Sequence, residues 1–438
     1  MRNKPRPPTQ KPRKPFVNQV QLQEQSKLLQ QGLSLHRANR LQEAYSCYQT
    51  ILRSDPKHFD ALQLSATIQY QTGNHAAAIL IFDQALLIDT TNAAVFNNRG
   101  NALKALKRFD DAIASYEQAL KIKPDYAEAH WNSSLLHLLL GNFSDGWLLY
   151  EWRLKKDDTK HNYYSGQEVS WRGKEDLAGK CLLIHCEQGL GDSIQFVRYL
   201  SKVVELGASV IFQVQRPLLS IIASMNLPVT LIAKGDPLPA FDASCPLMSL
   251  PCVFKTTVET IPAVIPYLVA DQGKVEKRKQ QFELSDQTRV GLVWSGSVDH
   301  KNDVNRSISL DKMLSLLDLP IEFHSLQKEY RKDDLAILAR DARIHRHEDE
   351  LNDFDDTAAL IETLDLVISV DTSVAHLAGA MGKQIWVLVP YVPDFRWLLD
   401  RDDSPWYPTL RIFRQDERRE WRSVLNKVKT ALENLKKY

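Results

Sequence analysis

Residues 94–124 read AVFNNRGNALKALKRFDDAIASYEQALKIKP, and this stretch decides the fold of the N-terminal third of the chain. It places a small residue at Gly100, an alanine at Ala112, an aromatic ring at Tyr116 and a proline at Pro124. The same pattern recurs at a period of 34 residues, at these earlier positions: Ala66, Ala78, Phe82, Thr90, and before them Gly32, Ala44, Tyr48, Pro56. One fixed period predicts a row of similar supersecondary units.

Each position has a physical role in a helical hairpin. The small residues let two helices approach closely, and we expect the aromatic rings to fill the gap to the next hairpin. Proline ends the second helix because it lacks an amide donor and clashes with the preceding turn. A 34-residue period is that of tetratricopeptide (TPR) repeats, so we predict an α-solenoid of about four hairpins over 21–156. The fourth, which starts near Ala127, has Gly146 where alanine is expected, and we interpret it as the joint to the next domain.

The rest of the chain divides by composition and periodicity. Residues 1–20 hold five prolines, six Lys or Arg and no acid, which is typical of a disordered basic tail. We interpret 157–179 as a linker. Strands then alternate with helices, which predicts parallel, doubly wound sheets in two Rossmann-like lobes, 180–272 and 286–438. The predicted strands are 181–186, 208–214, 229–232, 290–294, 321–326, 366–370 and 385–389. The fold class is therefore an α-solenoid followed by α/β lobes.

Bulk composition excludes some classes of function. A net charge of +1 gives no reason to expect nucleic acid as a partner. No apolar stretch approaches the ~20 residues that a membrane-spanning helix needs, and the N-terminus lacks the apolar run of a secretory signal. Five scattered cysteines without metal-ligand spacing favour reduced thiols and a cytoplasmic location.

The turn at 187–192, EQGLGD, lies between an apolar strand and a predicted helix. Ligands bind at this end of the strands in open α/β sheets. Gly189 and Gly191 let the backbone approach a ligand, and the helix N-terminus favours an anion. The alternative is a tight turn in which Asp192 only caps the helix.

A second polar loop follows the strand predicted at 290–294. It carries Ser295, Gly296, Lys301 and Arg306, and such cations and donors suit a diphosphate. A solvated loop without a ligand is the alternative interpretation.

A third cluster, Asp371, Thr372, Ser373 and His376, also follows an apolar strand and opens a helix. We expect Thr372 and Ser373 to cap this helix and its amides to favour a phosphate. His376 lies one turn after Thr372 and shares its face. The alternative is a buried structural histidine.

Two further patterns are expected to carry no metal. The Asp-x-Asp triplets at 353–355 and 400–402 arise by chance in a chain with 54 acids, and we expect Asp356 or Thr357 to cap a helix. His345 and His347 have no third ligand at convincing spacing, which favours a surface loop.

The segments 187–192, 301–307 and 371–376 resemble those of heptosyltransferase-like glycosyltransferases, of glycosyltransferase family 9 type. The resemblance covers roughly 180–420. It implies the two-lobed GT-B fold and inversion at the anomeric carbon with no metal or other cofactor. A TPR array before such a domain also resembles the organisation of protein O-GlcNAc transferases. Heptosyltransferases themselves act on the lipopolysaccharide core and lack TPR repeats, so neither donor sugar nor acceptor carries over.

The resemblance also implies roles for residues. Asp192 matches the general base, and Lys301 is the best counterpart of the lysine that binds the donor phosphate, with Arg306 as a second candidate. The segment 371–376 matches the lining of the donor pocket. The expected donor-binding residues are Gly189, Gly191, Ser295, Gly296, Lys301, Arg306, Asp371, Thr372, Ser373 and His376.

Two asparagines are candidates for acceptor binding. Asn98 and Asn132 occupy equivalent positions of the third and fourth repeats, where the first two hold Gln30 and Leu64. In O-GlcNAc transferases, which this array resembles, asparagines at such positions hold the acceptor peptide backbone. An amide both donates and accepts hydrogen bonds, as an extended chain requires. The alternative is two ordinary polar residues on exposed helices.

The sequence thus predicts a bacterial enzyme that moves a hexosyl or heptosyl group from a nucleotide sugar to a hydroxyl of an acceptor, with a protein or peptide as the partner of the repeats. One alternative is a non-catalytic TPR scaffold or sugar-nucleotide sensor with a degenerate GT-B domain. Another is a GT-B nucleotide-sugar epimerase.

Overall fold

The computed structural model describes residues 19–156, 169–282, 286–300 and 302–435. The chain forms two compact units, the first ending at Ala129 and the second beginning at His130. Most of the expected basic tail, residues 157–168 of the expected linker, and Lys301 lie outside the described residues. None of the described helices combines the length and the apolar character needed to cross a membrane.

The first unit is a row of helical hairpins, as the 34-residue period predicts. Ala44, Ala78 and Ala112 are fully buried where helices meet. Each hairpin consists of two consecutive helices, α1 with α2, α3 with α4, and α5 with α6. Their bounds are α1 (Gln19–Arg37), α2 (Leu41–Ser54), α3 (Phe59–Gln71), α4 (His75–Ile88), α5 (Ala93–Ala105) and α6 (Phe109–Ile122).

The aromatic position of the repeat has a second neighbour besides the one expected. A Cβ atom placed on Gly100 would lie 2.8 Å from Cδ1 of Tyr116, and Gly32 meets Tyr48 in the same manner. Each tyrosine ring therefore lies over the glycine of its own hairpin and does not only fill the gap to the next one. The absence of a Cβ makes room for the ring.

The fourth hairpin consists of α7 (Ala127–Leu139) and α8 (Phe143–Tyr150), followed by a 3₁₀ turn at Glu151–Lys155. Helix α8 buries Phe143 and Trp147 in the second unit. The Trp147 ring packs edge-on against Phe196 and Phe395, with centroids 6.0 and 5.7 Å away. Helix α8 is therefore part of the core that joins the two sheets described next.

The first sheet is parallel, with strand order β1-β5-β2-β3-β4. Part of the expected linker belongs to it, because Val169 pairs with Ala243 and Trp171 is buried. Its strands are β1 (Val169–Ser170), β2 (Cys181–His185), β3 (Ser209–Val214), β4 (Val229–Ala233) and β5 (Ala243–Pro246). Its helices are α9 (Leu190–Phe196), α10 (Leu200–Val204), α11 (Leu219–Ala223) and α12 (Leu250–Val253). The next helix, α13 (Gln272–Gln281), packs against a helix of the second sheet.

The second sheet is also parallel, with strand order β11-β10-β9-β6-β7-β8. Its strands are β6 (Thr288–Val293), β7 (Ile321–Ser325), β8 (Ile344–His345), β9 (Leu366–Val370), β10 (Ile385–Val389) and β11 (Leu410–Arg414). Its helices are α14 (Asp303–Arg306), α15 (Leu310–Met313), α16 (Lys332–Leu338), α17 (Phe354–Glu362), α18 (Ser373–Ala380) and α19 (Trp421–Glu433).

Strand order reverses once in each sheet, between β2 and β5 and between β6 and β9. Loops that leave the carboxyl ends of strands on either side of such a reversal diverge and leave a crevice, which is where open α/β sheets bind ligands. The two crevices are the places where a functional site is expected.

Candidate functional site

The turn after β2 holds Asp192 in a fixed orientation. One carboxylate oxygen accepts a hydrogen bond from the Gly189 amide at 2.8 Å, and the other accepts from the Arg396 guanidinium. The side chain keeps 21% of its surface exposed, so a ligand can reach it. Asp192 thus caps its own turn, as the alternative interpretation held, and also faces the site.

Arg396 connects the two sheets and was not among the expected residues. It follows β10 and donates to Gln195 Oε1 at 2.6 Å and to Asp394 Oδ1 at 2.7 Å, besides Asp192. Burial alone would lower the pKa of Arg396, but the carboxylates of Asp394 and Asp192 outweigh it and raise the pKa above its usual range. The guanidinium is therefore a permanent cation at the junction. Its place after an apolar strand was the only signal in the sequence.

His376 lies in α18 and packs against the turn of the first sheet. Its Nδ1 lies 3.0 Å from the Tyr407 hydroxyl, and its ring stacks on Trp397 with centroids 5.4 Å apart. Burial, followed by the positive charges of Arg396 and Arg198, holds the pKa of His376 well below its usual range. His376 is thus a buried neutral imidazole that supports the site, which agrees with the alternative interpretation.

Asp371 directly follows β9 beside this histidine, with Oδ1 3.9 Å from His376 Nε2. Burial, reinforced by the charge of Asp394, raises the pKa of Asp371 to about 6, although Arg396 opposes the shift. The carboxyl therefore changes charge near neutral pH.

The expected cap of α18 is wrong in detail. Thr372 occupies the N-cap position, but its side chain makes no capping hydrogen bond. Its hydroxyl lies 3.0 Å from Ser369 Oγ instead. Ser373 is the first residue of the helix and does not cap it either. The N-terminus of α18 is thus left without a side-chain cap.

The loop after β6 lies across the strand reversal of the second sheet. Arg306 donates to the backbone oxygen of Asp371 at 2.8 Å, and its guanidinium lies where a Cβ of Gly296 would be. Ser295 is buried, and its hydroxyl accepts from Gln327 Nε2 at 3.0 Å. Gly296, Arg306 and Asp371 are therefore neighbours, whereas Ser295 mainly anchors the loop.

The Asp-x-Asp segment caps a helix, but through a different residue from the two expected. Asp353, and neither Asp356 nor Thr357, is the N-cap of α17, where it accepts from the Asp355 and Asp356 amides. The Lys274 ammonium lies 3.3, 3.1 and 2.8 Å from the carboxylates of Asp353, Asp355 and Asp356. A lysine thus occupies the place a cation would take.

The histidine pair expected in a surface loop is part of a stack. His324 Nδ1 lies 3.1 Å from His347 Nε2, and His345 stacks on His324. Burial, with the charge of His347, lowers the pKa of His324 to about 3. Within the described residues, no group of three or more metal-ligating side chains is arranged to hold an ion.

The two acceptor candidates lie in different units. Asn98 is half-buried in α5 and accepts from Asn97 Nδ2 at 3.2 Å. Asn132 is half-buried in α7.

Comparison with known proteins shows what the repeats are. Residues 29–94 match the tetratricopeptide repeat profile, and residues 100–141 match a TPR repeat profile. Protein FlbA of Caulobacter vibrioides is 26% identical over 429 residues, which cover 91% of this chain and 71% of that protein. The inactive TPR repeat-containing thioredoxin TTL3 of Arabidopsis thaliana is 39% identical over 72 residues, only 10% of its length.

Among solved structures, MamA is similar with 20% identity and a TM-score of 0.29, over 32% of this chain and 81% of MamA. The first TPR of Spaghetti (RPAP3) bound to an HSP90 peptide is similar with 22% identity and a TM-score of 0.26, over 26% of this chain and 90% of that one. The N-terminal region of this chain carries tetratricopeptide repeats.

Proposed function

We propose that this protein transfers a sugar from a nucleotide-sugar donor to a hydroxyl of a protein or peptide acceptor, with inversion and without a metal, in a two-lobed GT-B domain. One observation carries the proposal. Asp192, from the turn of the first sheet, and Arg306 and Asp371, from the strand reversal of the second sheet, meet around Arg396 and His376. Residues from the two sheets thus bring a base close to a positively charged site that can bind an anion.

The base is Asp192. An acceptor hydroxyl must lose its proton as its oxygen attacks the sugar C1, and one carboxylate within reach suffices. The new bond joins that oxygen to C1, the bond from C1 to the phosphate oxygen breaks, and the nucleoside diphosphate leaves with the electron pair. The contacts to Gly189 and Arg396 fix the carboxylate before the substrate arrives.

The donor diphosphate binds at the reversal between β6 and β9. Arg306 lies there beside Gly296, whose missing Cβ leaves room for it. The amides at the start of α18 point to the same edge of the sheet and favour an anion. Together with Lys301, these groups stabilise the negative charge that develops on the leaving group.

The repeats bind the acceptor protein or peptide. TPR hairpins bind partners through their first helices. Asn98 lies on the first helix of the third hairpin and Asn132 on that of the fourth. The similarity to FlbA extends over 91% of the chain and thus covers both the repeats and the α/β lobes of this protein. We therefore assign the acceptor to the repeats and the chemistry to the lobes.

A scaffold or sugar-nucleotide sensor is the second candidate. The observation that favours it is the ion pair of Asp192 with Arg396, because a carboxylate already bound by a guanidinium is less available to an acceptor hydroxyl. Such a protein would bind a nucleotide sugar and leave it intact.

The experiment incubates the full-length protein with a panel of nucleotide sugars and measures release of the nucleoside diphosphate, with and without EDTA. We expect slow hydrolysis of one donor at the same rate in EDTA, because Lys274 already neutralises the Asp-x-Asp carboxylates. Loss of turnover in EDTA with recovery in Mn²⁺ would contradict the metal-free mechanism. Tight donor binding without any release would favour the sensor, and no donor binding would reject both.

A further inference from the structure

The end of the fourth hairpin binds the turn that carries Asp192. The Tyr150 hydroxyl, at the end of α8, lies 3.0 and 3.2 Å from the two polar atoms of the Gln188 side-chain amide. Tyr150 is 1% exposed, so these hydrogen bonds are shielded from water. Gln188 directly precedes Gly189, whose amide holds the Asp192 carboxylate.

Arg153, three residues later, fills the crevice of the first sheet. Its guanidinium donates to Glu187 at 2.9 Å, at the end of β2, and to Ser249 at 2.8 Å, after β5. These are the two sides of the strand reversal. The Arg153 side chain, from the 3₁₀ turn that ends the fourth hairpin, therefore occupies the place where an open α/β sheet binds a ligand.

The pair of Arg153 and Glu187 is costly to disturb. Both side chains are at most 1% exposed, and burial raises the pKa of Glu187 to about 7 although Arg153 opposes the shift. Removing one partner of a buried ion pair leaves the other charge uncompensated. Loss of either partner should therefore disturb the start of the turn.

The opposite side of the turn is held by the lobes themselves. Gln215, after β3, donates to the Gln188 backbone oxygen at 2.8 Å, and its side-chain oxygen accepts from Ser193. Arg396 holds Asp192. The turn therefore lies between the lobes and the fourth hairpin, and its geometry depends on both.

We infer that Tyr150 and Arg153 are positioning residues for Asp192, so that the end of the fourth hairpin is a working part of the catalytic site and not only a connection to the repeats. This inference rests on the proposed function, because it assigns the two residues to the orientation of the proposed base. It also assigns the crevice of the first sheet to Arg153, which leaves the crevice of the second sheet for the donor.

The test uses the full-length protein and the variant Tyr150→Phe, which keeps the ring and removes its hydrogen bonds to Gln188. Hydrogen exchange of a peptide covering 187–192 reports the Gly189 amide, and donor turnover reports kcat and KM. We expect exchange to speed up by about twofold to tenfold, the range for one net hydrogen bond, and kcat to fall with KM for the donor unchanged. Arg153→Lys, which keeps the charge, should shift both readouts in the same direction.

Two controls match these variants. Tyr116→Phe removes a buried tyrosine hydrogen bond, to Asn101 at 2.7 Å, in the repeats. Arg343→Ala removes an exposed arginine that pairs with Asp318 and Asp341, neither of which contacts the turn. Both should leave exchange at 187–192 and kcat as in the wild type.

The outcomes separate the inference from the proposed function. Wild-type exchange in Tyr150→Phe, or faster exchange with unchanged kcat, overturns the positioning role. A similar effect of Tyr116→Phe also overturns it, because the effect then reflects general loosening. If the wild type turns over no nucleotide sugar, the proposed function fails. The exchange rates alone then still show whether Tyr150 and Arg153 fix the conformation of the turn at 187–192.

Discussion

Gly191 in α9 lies directly against the imidazole of His376 in α18. A Cβ atom on Gly191 would be 2.9 Å from His376 Cδ2 and 3.4 Å from the Ser373 Cα. The glycine of one candidate motif is therefore in contact with the histidine of another, across the two sheets. Glycine is required here for the close approach of two helices and not for a special backbone conformation.

The first prediction concerns this contact. Gly191→Ala should lower the free energy of unfolding by about 1–3 kcal/mol, the usual cost of an extra methyl group in a packed core, and should reduce turnover more than tenfold because His376 and Asp192 move apart. Denaturant unfolding and donor turnover check it. Gly207→Ala is the control: Gly207 has open space around it and φ of +78°, so the substitution strains only the backbone and should keep turnover. Wild-type stability in Gly191→Ala would contradict the contact.

A second prediction concerns the donor phosphates. Arg306→Ala should weaken binding of the nucleoside diphosphate by about 1.5–3 kcal/mol, the range for hydrogen bonds to charged groups, and Lys301→Ala should act in the same direction. Both Arg306 and Arg331 pair with Asp303, but Arg331 lies in the loop before α16, so Arg331→Ala should retain affinity. Titration calorimetry with unchanged affinity in both Arg306→Ala and Lys301→Ala would reject the phosphate site.

The third prediction is a pH dependence of stability. The pKa of Asp371 is raised to about 6 from an ordinary value near 3.8, so the folded protein holds this proton more tightly than the unfolded chain. Its contribution to stability is therefore complete at low pH and is lost as the pH rises from about 4 to about 6.

Asp371→Asn removes that contribution. The difference in unfolding free energy between wild type and variant should change by on the order of 1–3 kcal/mol across this window. Unfolding by denaturant at several pH values measures it, with the exposed Asp349→Asn as control. Parallel curves for wild type and Asp371→Asn would show that the carboxyl does not titrate there.

The fourth prediction concerns the acceptor. In Asn98→Ala/Asn132→Ala, transfer to a protein or peptide acceptor should fall, because two amides that bind an extended backbone are lost, while donor hydrolysis by water continues. Unchanged transfer would show that these asparagines do not guide the acceptor. A parallel fall in hydrolysis would show that the double variant acts on the lobes and would equally reject the assignment.

The sequence located those parts of the site that carry a local pattern. The turn at 187–192, the loop at Gly296 and the segment at Asp371 each follow an apolar strand, and glycine or a helix start marks them. Seven of the eleven described strands were recognisable for the same reason, whereas β1, β5, β8 and β11 were not predicted. The 34-residue period revealed the repeats because it is sustained over three units.

Residues whose role depends on distant partners escaped this kind of reasoning. Arg396 binds Asp192 from 204 positions away, and its place after an apolar strand does not by itself reveal that partner. Strand β5 was missed because it is four residues long and ends in Pro246. Tyr150 and Arg153 were recognised only as the end of an atypical repeat, because their partners Gln188 and Glu187 become neighbours only in the folded chain.

The most direct test of the central claim is the turnover and donor affinity of Asp192→Asn. Asparagine keeps the size of the side chain and removes the proton acceptor, so turnover of the nucleotide sugar with an acceptor should fall by at least about 100-fold, the scale of general base catalysis, while donor affinity stays within a few-fold of wild type. Asp242→Asn is the control, because Asp242 also accepts from a backbone amide, that of Cys181 at 2.7 Å, away from the site. Wild-type turnover in Asp192→Asn would contradict the account.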